Sequence, residues 1–80
     1  MKQHADIVTR LLTLTRARFG EKADRLSPGD DLYEVLQIDS MEAMDLLTAL
    51  EDTFEVEIPD YELQGVRTLS SIAGLIERRL

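Results

Sequence analysis

The 80-residue chain has no cysteine and no tryptophan, and it holds only two prolines, four glycines, two tyrosines and two phenylalanines. Without cysteine there is no disulfide framework and no thiolate metal site, and a cytoplasmic address is expected. Long apolar runs are also missing. Stretches such as Ile72-Ala73-Gly74-Leu75-Ile76 are the longest available, whereas a membrane span needs roughly 20 residues. His4, Asp6 and Arg10 interrupt the N-terminal region where a secretory leader would be continuously apolar. Basic residues are few: nine Lys and Arg stand against sixteen Asp and Glu, for a net charge of −7. Nucleic-acid binding, which relies on cations neutralising phosphates, is therefore not expected. A chain this short builds a small core and has little left to wall a catalytic cleft.

The acids that are present are unevenly placed. Residues 26–66 carry twelve of them and no Lys or Arg, a charge of −12, while the remainder of the chain sums to +5. Crowded like charges repel and lower stability. A segment of this kind keeps a protein dissolved, and its asymmetry also suits a docking surface for basic partners.

Apolar periodicity predicts an all-α fold: a small four-helix bundle of three longer helices and a short third one, with a long loop between the first and second. The first helix is expected over residues 3–19, with Ile7, Val8, Leu11, Leu12, Thr15 and Phe19 on one stripe and Gly20 as its stop. In the loop, Ser27-Pro28-Gly29-Asp30 is turn chemistry. Leu26, Leu32, Tyr33, Leu36 and Ile38 are available to anchor the loop, and residues 30–34 are expected to form a short capped helical turn. The second helix begins at Asp39 or Ser40 and runs to about residue 54; Asp39 followed by Glu42 fits a capping box. A short helix follows Pro59 and ends at Gly65. The last helix starts after Thr68 and runs to the chain end, with Leu69, Ile72, Ala73, Ile76 and Leu80 inward and Arg78 and Arg79 where a helix C-terminus favours cations.

On a wheel of about 100° per residue, the second helix gathers Ala43, Leu46, Leu47, Leu50 and Phe54 on its core side. Met41, Asp45, Thr48 and Asp52 fall opposite, with Met44 and Glu51 on one flank and Glu42 on the other. Two methionines ringed by carboxylates form a patch that adapts to several partners. Ser40 stands at the head of this helix. A serine there is ordinarily an N-cap, but Asp39 is an equally good cap one residue earlier and would leave the Ser40 hydroxyl exposed. Helix N-termini favour phosphate, so a phosphodiester on Ser40 would be well placed.

The run Leu36-Gln37-Ile38-Asp39-Ser40-Met41, continuing through Ala49-Leu50-Glu51-Asp52-Thr53-Phe54 to Val56-Glu57-Ile58-Pro59-Asp60, resembles the acyl carrier proteins. Asp31-Leu32-Tyr33 in the loop adds to the likeness, which extends over nearly the whole chain. The resemblance implies one acyl-carrier-like domain over residues 1–80 and a 4′-phosphopantetheine arm, derived from coenzyme A, on Ser40, with Asp39 as its motif neighbour. It implies that partner enzymes grip Met41 and Met44 and read Glu42, Asp45, Glu51 and Asp52, with Thr48 on the same face. Two positions depart from the family pattern: Gln37, where many members have glycine, and Thr48, where an apolar residue is common. Aspartate before the serine points away from the peptidyl carrier domains, which more often have histidine there.

Residue chemistry agrees with a carrier and disfavours an enzyme. A nucleophilic serine needs a nearby general base, and the lone histidine, His4, lies outside the motif helix. No catalytic residue and no metal site is expected: surface carboxylates on so small a domain lack the required cleft, and the spaced acids of a calcium loop are absent. The expected partners are a phosphopantetheinyl transferase, which supplies the base and magnesium that Ser40 lacks, and acyl-activating, loading and processing enzymes with basic docking surfaces. The cargo would be acyl intermediates of fatty acid, polyketide or related biosynthesis, with Leu46, Leu50 and Ile58 as candidates to shelter an alkyl chain. The alternatives are an aminoacyl or peptidyl carrier, an unmodified acidic helical interaction module, and a small Ser40 hydrolase. A free-standing protein is expected from the start at Met1 and the lack of linkers, with an excised domain as the alternative, and a monomer is expected. Charge crowding yields a first prediction: added salt or magnesium raises the melting temperature by screening the acidic segment. A flat or falling melt would show the carboxylates already paired with Arg10, Arg16 or Arg25.

Overall fold

The structure, a computed structural model, describes residues 3–80. Met1 and Lys2, and with them the domain start expected at residue 1, lie outside the described residues. Helix α1 (His4–Phe19) buries Ile7, Val8, Leu11 and Thr15, the predicted stripe, while Leu12 and Phe19 are half-buried. Thr15 is polar at a core position, and its hydroxyl is satisfied by donating to the Leu11 carbonyl at 2.7 Å, which removes the penalty of a buried unpaired hydroxyl. Gly20 ends the helix with φ at 59°, and its N–H donates to the Arg16 carbonyl. The chain then makes a 3-10 turn, Gly20–Ala23, that buries Ala23.

The long connection is built rather than loose. Ser27 to Asp30 closes as a turn, with the Asp30 N–H donating to the Ser27 carbonyl at 3.0 Å and the Ser27 N–H to Asp30 Oδ2 at 2.9 Å. Helix α2 (Leu32–Leu36) follows, a full short helix starting two residues after the predicted turn began. Asp31 caps it, its Oδ1 accepting from the N–H groups of Tyr33 (2.9 Å) and Glu34 (3.3 Å). Backbone bonds from Leu32 N–H to the Arg67 carbonyl (2.7 Å) and from Ser70 N–H to the Pro28 carbonyl (3.0 Å) sew the connection to the start of the last helix. With Leu26, Leu32, Leu36 and Ile38 buried, the connection is part of the core.

Helix α3 (Ser40–Phe54) buries Ala43, Leu46, Leu50 and Phe54. It ends without glycine: Glu55 takes the left-handed conformation at φ 56°, and the Val56 and Glu55 N–H groups donate back to the Glu51 and Asp52 carbonyls, the paired bonds of a Schellman stop. Helix α4 (Asp60–Leu63) is a single turn after Pro59. Helix α5 (Leu69–Glu77) is capped by Thr68, whose hydroxyl accepts from the Ser71 N–H, and it packs mainly against α1. Its inner stripe is Leu69, Ile72, Ala73, Leu75 and Ile76. Leu80, predicted to join that stripe, lies beyond the helix and is 43% exposed. The helix stops at Glu77, and the Arg79 and Leu80 N–H groups donate in tighter turns to the Ile76 and Glu77 carbonyls. Among the described residues the fold is all-α, with α2 inside the connection as a fifth α-helix, and no helix is long and apolar enough to cross a membrane.

The cations that reach the acidic segment come from beyond it. Arg79 donates to the Glu57 carbonyl (2.8 Å) and the Leu75 carbonyl (3.0 Å) and pairs with Glu62, tying α4 and the strap before it to the end of α5. Arg67 pairs with Asp31 at 2.6 Å and lies 4.3 Å over the Tyr33 ring. That hydrogen bond holds the Asp31 carboxyl below its ordinary pKa of 3.8; desolvation opposes it, and the two cap hydrogen bonds add to it. A carboxyl whose pKa is depressed on folding contributes stability above its unfolded pKa and loses it as the pH falls through the lowered folded value. Asp31→Asn keeps a good cap and removes the charge. The variant is expected to melt below the wild type at pH 7, with the gap narrowing as pH drops below about 4. A gap that stays constant down to pH 2 would show that the charge contributes nothing.

Candidate functional site

The head of α3 is defined by who caps it. Asp39 sits in extended backbone (φ −97°, ψ −177°), and its Oδ1 accepts from the Glu42 N–H at 2.9 Å. One of the orphan donors of the first turn is thereby satisfied. Ser40 is then the first helical residue. It is exposed, and among the described residues its hydroxyl makes no hydrogen bond. The approach to this point is also unusual. Gln37, where the resemblance leads one to expect glycine, has φ 55° and ψ 47°, the left-handed region that costs a residue with a Cβ roughly 1–2 kcal/mol. The turn therefore keeps the shape a glycine would give it, at some cost in strain.

Among the described residues, no side chain hydrogen-bonds to the Ser40 hydroxyl to serve it as a base. His4 is on α1, where its Nδ1 lies 3.2 Å from Glu77 Oε2 at the end of α5. Among the described residues, no group of three or more His, Cys, Asp or Glu side chains is placed to hold a metal ion. What the geometry offers is an unencumbered hydroxyl on an exposed helix start, which a phosphodiester can occupy without displacing any contact.

Downstream of Ser40 the outer face of α3 follows the wheel. Met41 is 78% exposed and Met44 49%, and Glu42, Asp45, Thr48 and Asp52 are exposed beside them. The Thr48 hydroxyl donates to the Met44 carbonyl at 3.0 Å, so it asks nothing of a partner. Glu51 behaves differently from the other acids. It is half-buried, and its Oε2 accepts from the Ile58 N–H at 2.7 Å. This carboxylate holds the strap between α3 and α4, leaving it less available to partners than Glu42, Asp45 or Asp52. The wheel of α3 missed a second feature because it comes from another helix. Arg18 and Phe19, at the end of α1, join Glu42 and Asp45 around an open groove of about 310 Å³. Arg18 lies in the last turn of α1, and its proximity to α3 was not legible in the sequence.

Inside the fold a narrow apolar cavity of about 20 Å³ lies between α2, α3 and α5, lined by residues that include Leu32, Ile38, Leu46, Leu47, Val66 and Ile72. Of the three residues expected to shelter an alkyl chain, Leu46 lines it. The space is about that of one water, so an alkyl chain enters only if these walls part.

Comparison with known proteins gives two findings. The profile of the family described as "Phosphopantetheine attachment site" matches residues 9–76. An "Acyl carrier protein" of Helicobacter hepaticus is 34% identical over 55 residues, covering 69% of this chain and 72% of the relative. The family match contains both Asp39 and Ser40. Their division of labour is testable by denaturation: Asp39→Ala should cost about 1 kcal/mol of stability, the usual loss for a cap, and Ser40→Ala distinctly less. Equal losses would make Ser40 the cap and remove the free hydroxyl.

Proposed function

The chain belongs to the acyl carrier protein family, and from that premise we propose that Ser40 is the residue that bears its phosphopantetheine and that the outer face of α3 is where partner enzymes dock. As a family member the protein is a carrier and not a catalyst: enzymes act on what it holds. When attached, the arm supplies a thiol on which cargo is held as a thioester.

The observation that supports Ser40 most strongly is the cap. Asp39 accepts the Glu42 N–H, so the Ser40 hydroxyl is left outward and unbonded. The helix dipole and the remaining N–H groups of the first turn favour a phosphate there. In the transfer, a base on the transferase takes the Ser40 Oγ proton as that oxygen attacks the pantetheine-bearing phosphorus of coenzyme A; the pyrophosphate P–O bond breaks and adenosine 3′,5′-bisphosphate leaves. Met41 and Met44 offer the transferase a small adaptable apolar contact, and Glu42, Asp45 and Asp52 offer charge. Long-range attraction to these acids raises encounter rates, while the small apolar area limits affinity so that successive partners exchange.

Residues 1–80 are proposed to act as one carrier domain for acyl intermediates of fatty acid, polyketide or related assembly. Aspartate rather than histidine before Ser40 favours acyl over peptidyl cargo.

Incubation with coenzyme A and a broad-specificity phosphopantetheinyl transferase, followed by intact-mass measurement, tests the attachment point. One phosphopantetheine is expected on the wild type and none on Ser40→Ala. No added arm, or an arm that persists in Ser40→Ala, rejects the proposal.

A further inference from the structure

The face of α3 is acidic along its length, but its Glu42 flank is bordered by a cation. Arg18 lies at the end of α1, exposed, and lines the same open groove as Glu42 and Asp45, with half-buried Phe19 also lining it. Among the described residues Arg18 forms no ion pair. Its charge is therefore not consumed by the carboxylates that share the groove. A partner lying along α3 meets two acids and, at their edge, an uncommitted guanidinium.

We propose that Arg18 makes this edge of the docking face selective, favouring partners that set a carboxylate against Arg18 while their cations meet Glu42 and Asp45. Charge complementarity carries the assignment. A uniformly basic surface placed over the groove gains attraction from Glu42 and Asp45 but brings a like charge against Arg18, and juxtaposed like charges suppress wrong partners. A surface with one acid among its bases satisfies all three groups. A guanidinium is also well suited to accept a carboxylate through paired hydrogen bonds. Phe19 gives the approaching side chains an apolar surface in the same groove. This inference rests on the docking face proposed above.

The test uses a broad-specificity phosphopantetheinyl transferase with a basic docking surface, and coenzyme A. Arg18→Glu is compared with Arg16→Glu, which changes the net charge equally in the same last turn of α1 but lies about 200° around the helix. At low salt Arg18→Glu is expected to raise kcat/KM about fivefold or more through KM, with Arg16→Glu changing it less than about twofold and the difference vanishing at high salt. Next, the transferase's docking Lys and Arg residues are changed singly to Glu. At one of them the change should improve kcat/KM with the wild-type carrier and impair it with Arg18→Glu. Equal gains from the two carrier variants, no gain from Arg18→Glu, or no position with opposite signs overturns the role of Arg18. Failure of every variant to accept the arm would instead overturn the Ser40 assignment.

Discussion

The first turn of a helix leaves backbone N–H groups without partners, and in α3 the residue that answers this need is Asp39. Its carboxylate accepts the Glu42 N–H, and the consequences run outward from that bond. Ser40 becomes the first helical residue instead of the cap, so its hydroxyl is exposed and unbonded. With Ser40 at its first position, Ala43, Leu46, Leu50 and Phe54 enter the core, and Met41, Met44, Asp45 and Asp52 are left on the surface. A cap one residue later would make the serine a structural residue.

The acidic residues of the middle segment divide into two kinds. Some are tied into the fold: Asp30 and Asp31 shape the connection before α3, Asp39 caps α3, Glu51 holds the Ile58 N–H, and Glu62 pairs with Arg79. Others, chiefly Glu42, Asp45 and Asp52, lie on the outer face of α3 beside the exposed methionines. The first group anchors the short elements around α3, which have too few residues to be stable through their own helical bonds. The second gives the long-range field. Arg18 at the edge of the groove means that the charge bordering this face is not of one sign.

Much of this was readable from the amino acids. The stripes of α1, α3 and α5, the helix starts near Ser40 and after Thr68, the Ser27 to Asp30 turn and the exposed methionines all follow from local rules of spacing and side-chain chemistry. What escaped depends on contacts distant in sequence. The short capped turn expected at residues 30–34 is present as α2, but its extension to Leu36 and the bonds that dock it, Leu32 to the backbone at Arg67 and Arg67 to Asp31, were not legible. Leu80 fits the periodicity of α5 but falls beyond its end. Glu51 looks like its neighbours on a wheel, yet the returning chain at Ile58 draws it inward. Gln37 shows the reverse case: a left-handed turn at a residue other than the glycine that the resemblance led one to expect. Arg18 carried no signal in the sequence, because only the packing of α1 beside α3 brings it to the acidic face.

The proposed attachment at Ser40 is most directly examined on protein purified from its native cell, by peptide mass mapping without added transferase. The peptide containing Ser40 should carry phosphopantetheine, with or without an acyl group on its thiol. Native material in which that serine is always bare, or in which the arm sits on a different residue, would contradict the assignment.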